Sequence, residues 1–219
     1  MTAPIQIDIV SDAICPWCFI GKRRLEKALA ERPDVQVAIN WRPFQLNPDM
    51  PREGMERAEY VAAKFGSIER AKQMYANVAA AGAGEGVTIA YDKMQRTPNT
   101  LDAHRLIRWA ESAGVQGKVV ELLFNRYFEQ GADIGNHDTL VAVAAEAGMD
   151  GAVVRDLLAS DADLEAVQAE DAYARKLGIQ GVPCFIIDRR YAVSGAQEPE
   201  AFIEIFKRVQ AEAAAAAAE

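Results

Sequence analysis

The sequence predicts an α/β fold: one small mixed sheet with helices on its faces, and a large all-helical insertion between the two parts of the sheet. Three observations predict it. A strand–helix–strand pattern fills residues 5–44, helical periodicity dominates residues 55–177, and two short strands and a helix close the chain. We therefore expect a discontinuous sheet domain, residues 1–47 and 178–219, and an inserted helical domain, residues 48–177.

The first part of the chain predicts two strands and a helix between them. IQIDIV (5–10) and VQVAINWRPF (35–44) alternate apolar and polar residues, as half-buried strands do. Residues 18–30 place apolar side chains on one helical face and charged side chains on the other. This order predicts a parallel pair of strands with a crossover helix. We expect the basic run GKRR (21–24) on that helix to be a solvated face.

The insertion and the last part of the chain follow the same logic. Apolar residues at helical spacing predict a series of helices in the insertion. After Gly178, VPCFIID (182–188) and YAVSG (191–195) predict two short strands, and EPEAFIEIFKRVQ (198–210) predicts a final helix. The residues that mark the inserted helices are Val61 and Phe65; Met74, Tyr75 and Val78; Ala103, Leu106, Ile107 and Ala110; Val120, Leu123, Phe124 and Tyr127; Leu140, Val141 and Ala144; Val153, Val154, Leu157 and Leu158; and Leu164, Val167, Ala174 and Leu177.

The composition argues against several classes of protein. A formal net charge of −8 argues against nucleic acid as the main partner, because phosphate binding needs clustered positive charge. No apolar run reaches the roughly 18 residues that a membrane-spanning helix needs. The N-terminus MTAPIQIDIV lacks the basic segment and the cleavage pattern of a signal peptide. We therefore expect a cytoplasmic protein whose partners include neither nucleic acid nor a membrane.

The motif that carries chemistry is CPWC (15–18), directly after the first strand. Three cysteines are too few for a disulfide scaffold, and a close pair in a reducing compartment is typically catalytic or metal-binding. Cys15 stands at or near the N-cap of the first helix, and Pro16 occupies the first helical position, where its missing N–H costs nothing. The unpaired backbone N–H groups and the helix dipole at that end favour a thiolate, which is the attacking species.

Cys18 follows one turn later on the same side of the helix, close enough to form a disulfide with Cys15. Because Cys18 lies on the buried stripe, we expect it to resolve mixed disulfides that Cys15 forms. A structural disulfide would constrain the unfolded chain little, since the loop it closes is short. A zinc site needs four ligands, and the remaining candidates, Cys184, His104 and His137, are isolated in the sequence. We therefore expect no metal and no required cofactor.

The segment GIQGVPCFI (178–186) supplies a second signal, because Pro183 stands where a late strand begins and its N–H is not required. CPWC after a first strand, with Val182-Pro183 opening a late strand, resembles the thioredoxin superfamily. The helical insertion and the motif CPWCFIGK (15–22) narrow the resemblance to the DsbA family, in its FrnE-like branch. The resemblance covers nearly the whole chain, including PNTLDAHRL (98–106) and YAVSGAQ (191–197).

This resemblance implies a thioredoxin-like fold and a thiol–disulfide oxidoreductase that acts on thiol- or disulfide-containing proteins or peptides. Cys15 would be the nucleophile, Cys18 the resolving thiol, and Val182-Pro183 a cis peptide bond beside them. The backbone of Val182 would pair with a bound peptide or with glutathione. Periplasmic members carry a signal peptide and act as oxidants, so its absence here leaves the direction of exchange open. We also expect Pro16 and Trp17 to contact the substrate.

A neighbouring branch with the same architecture leaves an alternative open. Kappa-class glutathione transferases and 2-hydroxychromene-2-carboxylate isomerases resemble this chain at Val182-Pro183 and loosely at Ala196 and Gln197, where they contact glutathione. They typically have a serine where Cys15 stands, so the two thiols of this chain favour disulfide exchange. Isomerisation or transfer with glutathione as a co-substrate is the second hypothesis, and a chaperone-like peptide binder the third. The chain could form a homodimer.

Overall fold

The computed structural model describes residues 4–66 and 68–216, with only the backbone of residue 68. The elements follow the predicted order, β-α-β, a block of helices, then β-β-α. In chain order they are β1 (Ile5–Ser11), α1 (Pro16–Glu31), β2 (Val37–Pro43), β3 (Met55–Glu56), α2 (Arg57–Phe65), α3 (Ile68–Gly84), β4 (Arg96–Thr97), α4 (Leu101–Ser112), α5 (Gln116–Phe124), a π-helical turn (Asn125–Glu129), α6 (His137–Ala147), α7 (Gly151–Leu158), α8 (Leu164–Lys176), β5 (Cys184–Ile187), β6 (Tyr191–Ser194) and α9 (Pro199–Ala216).

The main sheet is mixed, with the strand order β2-β1-β5-β6. β1 runs parallel to β2, and α1 forms the crossover between them. β5 is antiparallel to both β1 and β6. The predicted mixed sheet and parallel pair are therefore confirmed. The short β3–β4 pair was not predicted, because strands of two residues are too short to show an alternating pattern.

Alternation along β1 divides its side chains between two buried clusters. Ile7 and Ile9 point into the main core, where Phe185 of β5 and Phe202 and Phe206 of α9 also lie. Val10 points the other way, into a smaller cluster that includes Phe44, Ala174 and Cys184. Strand β1, an interior strand of the sheet, is therefore covered on both faces.

The inserted helices share the main core with the sheet. α4, α5 and α8 pack directly against β2, and Phe124 at the end of α5 stacks on Phe19 of α1 with ring centres 5.0 Å apart. Gln116 of α5 accepts a hydrogen bond from the backbone N–H of Trp41 at 2.8 Å and donates to its carbonyl at 3.2 Å. The insertion is thus joined to the sheet by apolar packing and buried hydrogen bonds. The domain boundaries at residues 48 and 177 stay a prediction.

The basic run of α1 is not a solvated face, contrary to the sequence-based expectation. Lys22 is only 9% exposed and pairs with Glu121 of α5 at 2.6 Å. Arg24 pairs with Glu85, just beyond α3, at 2.9 Å. The prediction is wrong because, besides Glu26 of α1, two acids of the insertion, Glu121 and Glu85, cover this face from far away in sequence. None of the helices in the described ranges is long and apolar enough to span a membrane.

Candidate redox site and the adjoining groove

Cys15 is the N-cap of α1, as predicted, with an extended backbone (φ −90°, ψ 111°), and Pro16 opens the helix. The N–H of Cys15 donates to the carbonyl of Asp12 at 3.0 Å, which fixes the turn between β1 and α1. The sequence predicted that the sulfur would face the free N–H groups of the helix. The protonated thiol makes no such capping hydrogen bond and instead donates to the carbonyl of Val182 at 3.5 Å.

Cys18 lies one turn further along α1 and is 1% exposed. Its thiol lies beside the Cys15 thiol, the Ser11 side chain and the backbone of Asp12. Burial raises the pKa of Cys18, and the neighbouring Cys15 raises it further. All three cysteines of the chain are free thiols in this structure. The two sulfurs of CPWC are therefore adjacent, with Cys18 as the more deeply buried one.

The loop before β5 completes the thiol side of the site. The Val182–Pro183 peptide bond is cis, and Pro183 packs against Gly21 of α1. A Cβ atom at Gly21 would lie 3.0 Å from Cγ of Pro183 and 3.1 Å from the ring of Phe185. The missing side chain of Gly21 thus allows the loop to approach α1 closely enough for Val182 to reach Cys15.

A groove of about 290 Å³ opens beside Cys15, between the start of α1 and the insertion. Its lining is mostly aromatic and aliphatic, with two cationic side chains and no acidic one. Cys15 is in the lining and Cys18 is not. The lining consists of Ile14, Cys15, Pro16, Trp17, Leu46, Arg57, Tyr60, Lys64, Phe65, Met74, Tyr75, Val78, Tyr91, Met94, Tyr127, Phe128, Gly181 and Val182.

Arg57, the first residue of α2, organises the far wall of the groove. Its guanidinium donates to the hydroxyl of Tyr75 at 2.6 Å, to that of Tyr127 at 3.4 Å and to Oγ1 of Thr97 at 3.3 Å. The ring of Tyr75 stacks on that of Tyr91, with centres 4.0 Å apart. Burial raises the pKa of Tyr127 to about 12, so its hydroxyl is neutral at physiological pH. The wall therefore combines a fixed cation with neutral aromatic rings.

The structure brings together most of the residues predicted to bind substrate. Pro16, Trp17 and Val182 line the groove with Cys15, and Trp17 is 39% exposed at its rim. Pro183 is buried behind them. Gln197 is exposed and outside the groove lining, and its side chain donates to the carbonyl of Ser194 at 2.9 Å. Contact between Gln197 and a ligand stays a prediction.

The remaining chemistry-bearing residues lie apart from the groove. Cys184 is buried in the smaller cluster, where burial raises the pKa of its thiol. His104 of α4 is buried, with Nε2 3.5 Å from Oδ1 of Asp12. His137 opens α6 and bonds to Oδ2 of Asp102 at 3.0 Å. Within the described ranges, no group of three or more potential ligands could hold a metal ion.

Sequence reasoning missed the insertion side of the groove, above all Arg57, Lys64 and Tyr91. One signal could have pointed to it. Of the six tyrosines in the chain, Tyr60, Tyr75 and Tyr91 occur in the segment that follows the first proline-rich loop, and all three line the groove. Aromatic residues on short inserted helices often mark a binding surface, but their spacing does not show which groove they line.

Comparisons with known proteins agree with this architecture. A family model described as a DSBA-like thioredoxin domain matches residues 6–207. The solved structure of a probable DsbA oxidoreductase from Streptomyces coelicolor is similar, with a TM-score of 0.85 and 33% identity over 95% of this chain and 91% of that one. The uncharacterized protein YwbO of Bacillus subtilis is 27% identical over 185 residues, 84% of this chain and 86% of its own length.

A solved 2-hydroxychromene-2-carboxylate isomerase shares the fold, with a TM-score of 0.65 and 16% identity over 95% of this chain and 98% of that one. At that level of identity, the likeness concerns the fold alone. Together, the family match and the structural neighbours confirm the thioredoxin-like α/β fold and the family resemblance that the sequence predicts.

Proposed function

Because this chain belongs to the DSBA-like thioredoxin domain family, we propose that it exchanges thiols and disulfides through Cys15 and Cys18. The thiolate of Cys15 attacks one sulfur of a substrate disulfide, forms a mixed disulfide and releases the other sulfur as a thiolate. The thiolate of Cys18 then attacks the Cys15 sulfur, forms the Cys15–Cys18 disulfide and releases the second substrate thiolate. Two electrons pass to the substrate, and the reverse sequence oxidises a dithiol.

The observation that carries this proposal is that only one of two adjacent buried thiols borders the groove: Cys15 is 5% exposed and Cys18 is 1% exposed. Cys15 lines an open groove at the N-terminus of α1, whereas Cys18 lies beside it and outside the groove lining. A substrate disulfide can therefore reach Cys15 first. Once the mixed disulfide forms, Cys18 lies next to the sulfur it must attack, which makes resolution an intramolecular step.

Trapping the mixed disulfide tests both roles. Reduced protein is mixed with a peptide disulfide, and released thiol and covalent adducts are followed by mass spectrometry. We expect Cys15→Ser to abolish exchange, and Cys18→Ser to release one thiol and accumulate the Cys15 adduct. Cys184→Ser is the matched control, since Cys184 is buried outside the groove. Full exchange by Cys15→Ser would contradict the proposal.

The aromatic groove supports a second function, isomerisation or transfer of a small flat electrophile with glutathione as a co-substrate. This function would not need the resolving thiol. It predicts that glutathione binds at millimolar concentration and that Cys18→Ala keeps its turnover of the electrophile. The absence of glutathione binding in calorimetry at that concentration would exclude it.

The remaining expectations concern the surroundings of the enzyme. Disulfide exchange requires no metal or nicotinamide, because the electrons pass through the Cys15–Cys18 pair. Its partners would be thiol- or disulfide-containing proteins or peptides. A cytoplasmic location and a homodimer stay predictions, which localisation of a tagged chain and sedimentation equilibrium would test.

A further inference from the structure

The groove beside Cys15 carries two cations, Arg57 and Lys64, that have no acidic partner in the described part of the chain. Arg57 donates to the hydroxyls of Tyr75 and Tyr127, and Lys64 donates to Oδ1 of Asn47 at 3.0 Å. Among the residues that the structure describes, no carboxylate lies within ion-pair distance of Arg57 or Lys64. The whole chain has 32 acidic against 24 basic residues, so acids are abundant elsewhere. The two positive charges of the groove are therefore available to pair with an anionic group of a ligand.

Aromatic rings hold these cations at the groove wall. The guanidinium of Arg57 lies 5.2 Å from the ring centre of Tyr75 and 6.0 Å from that of Tyr91. The ammonium of Lys64 lies 5.1 Å from the ring centre of Tyr60. Cation–π contacts and neutral hydroxyls orient a cation without neutralising its charge. An anion can therefore pair with Arg57 or Lys64 without breaking an existing ion pair.

The shape of the lining favours a polypeptide as the occupant. Trp17 and Met74 are exposed large apolar side chains, and both belong to the groove lining. A small ligand enclosed in the groove would leave this apolar surface in water. A chain segment that runs along the groove past Cys15 covers it, and its aromatic side chain can pack against the tyrosines.

We propose that the groove selects disulfide-bearing polypeptide segments with an acidic and an aromatic side chain close to the reacting cysteine. The carboxylate pairs with Arg57 or Lys64, the aromatic side chain packs on the tyrosine wall, and the substrate sulfur faces Cys15. This inference rests on the proposed exchange function and adds the class of substrate to it. It assigns recognition to the insertion and the chemistry to the start of α1.

A factorial set of four peptides tests the selection. Each peptide has one cysteine as a mixed disulfide with 2-mercaptoethanol, flanked by Phe or Ser on one side and Asp or Lys on the other. We expect the Phe/Asp peptide to have the highest kcat/KM. Arg57→Met and Lys64→Met should each lower the ratio of kcat/KM for the Phe/Asp peptide to kcat/KM for the Ser/Lys peptide about tenfold, as loss of a hydrogen bond to a charged group does. Lys118→Met is the control, an exposed lysine of α5 outside the groove.

Binding without chemistry separates this proposal from the exchange function. The double variant Cys15→Ser/Cys18→Ser should bind the Phe/Asp peptide more tightly than the other three in calorimetry. Selective binding without exchange by the wild type would contradict only the proposed function. Equal kcat/KM for all four peptides would overturn the selection and leave the function intact. Competitive displacement of the peptide by 2-naphthoate at equal affinity would also overturn it, because the groove would then be a small-molecule site.

A different observation concerns the proton of Cys18. Cys18 is 1% exposed and its thiol lies beside the Ser11 side chain, so its proton has no direct route to solvent. Ser11 and His104 line a cavity of about 10 Å³, which is close to the volume that one water molecule needs. Nε2 of His104 is buried and has no hydrogen-bond partner among the residues that the structure describes. The charged groups that face this imidazole are Asp12, at 3.5 Å, and Arg42, which lines the same cavity.

The geometry points to His104 as the base that receives the Cys18 proton through Ser11. Cys18 gives its proton to the Ser11 hydroxyl while that hydroxyl gives its own to Nε2 of His104, directly or through one water. The imidazolium then faces the Asp12 carboxylate. The Cys18 thiolate attacks the Cys15 sulfur, and the substrate leaves as a thiolate that takes a proton from solvent. The imidazolium then releases its proton to solvent, which restores His104 for the next turnover. His104 is a positioning residue for proton transfer, and this role also rests on the proposed exchange.

If His104 has this role, its substitution should affect resolution of the mixed disulfide by Cys18 but not attack on the substrate by Cys15. We expect His104→Gln to slow resolution of the mixed disulfide about 100-fold at pH 7, the usual size of a general-base effect. The pH dependence of resolution should weaken in this variant, because the base that takes up the Cys18 proton is gone. Attack by Cys15, measured in the Cys18→Ser background, should not change. Ser11→Ala should reproduce the effect on resolution.

The second histidine provides the matched control. His137→Gln alters the only other imidazole of the chain, which lies outside the groove and the cavity, and should behave as wild type. Equal slowing of both steps by His104→Gln would show a structural effect and overturn the assignment. An unchanged pH profile in His104→Gln would overturn it as well. A wild type that forms no mixed disulfide would instead contradict the exchange function.

Discussion

The two sides of the groove are built in different ways. The thiol side, at the start of α1 and the loop before β5, depends on backbone position: Cys15 reaches the Val182 carbonyl because Gly21 allows close packing against Pro183. The insertion side depends on side chains, with Arg57 held by hydroxyls and rings. From this difference we expect small backbone shifts on the thiol side to impair disulfide exchange at Cys15. Side-chain substitutions in the insertion should instead impair binding of the substrate.

The largest expected effect on the free energy of unfolding concerns Phe124, which joins the thiol side to the insertion side. Phe124 is fully buried, stacks on Phe19 of α1 and packs edge-to-face against Trp41 of β2. Phe124→Ala should lower the free energy of unfolding by about 3–5 kcal/mol, because it leaves a cavity at the junction. Urea denaturation measures it, with the exposed Tyr173→Ala as a control that should stay within about 0.5 kcal/mol. A small loss for Phe124→Ala would show that the two sides are stabilised independently.

Two glycine substitutions, one crowded and one not, test whether close backbone packing positions the thiol side. A Cβ at Gly21 would crowd Pro183 and Phe185, so Gly21→Ala should cost about 1–3 kcal/mol of unfolding free energy and slow disulfide exchange. Gly117→Ala in α5 meets nothing within 4 Å and should stabilise the protein by about 0.5 kcal/mol. Thermal unfolding and exchange rates measure both variants. If Gly21→Ala kept full stability and rate, close packing of the loop would not position Val182.

Two tyrosines make the corresponding test on the insertion side. The hydroxyl of Tyr75 accepts from Arg57, so Tyr75→Phe should cost about 1.5 kcal/mol, the lower range for a hydrogen bond to a charged group. The hydroxyl of Tyr91 is buried without a partner, so Tyr91→Phe should be neutral or slightly stabilising. Chemical denaturation compares the two variants. Equal losses would mean that the hydroxyls do not hold Arg57.

The smallest expected effect concerns the ion pairs between α1 and α5. Burial of Glu121 would raise its pKa, but hydrogen bonds from Arg23 and Lys22 outweigh burial and hold the pKa below its usual value. Because the folded-state pKa is depressed, the stabilisation is complete above the unfolded pKa of about 4.3 and is lost as the pH falls through the folded value. For a partly exposed cluster we expect about 1 kcal/mol.

Urea titrations between pH 7 and pH 3 test this effect. Glu121→Gln should flatten the acid limb of the stability profile, whereas Glu204→Gln, which removes an exposed acid paired only within α9, should leave the limb unchanged. An unchanged acid limb in Glu121→Gln would place the acid sensitivity elsewhere in the chain.

The sequence predicted the thiol side better than the insertion side because the information for it is local. Pro16 after an N-cap cysteine, the alternation in β1 and β2, and the apolar stripe of α1 all lie within a few residues of the features they determine. Their prediction needed no knowledge of distant contacts. The expectation that GKRR is solvated failed for the opposite reason, since the acids that bury it come from α5 and the end of α3.

The sequence by itself determined the order of the elements, the mixed sheet and the position of both thiols at the start of a helix, because periodicity and helix-end preferences act over one or two turns. Only the tertiary structure decided that Cys15 meets Val182, that Arg57 faces the groove with no acidic partner among the described residues, and that His104 and Ser11 line one cavity. Each of these arrangements joins residues far apart in the chain. The free energy that fixes them comes from packing of the whole core, which no local pattern encodes.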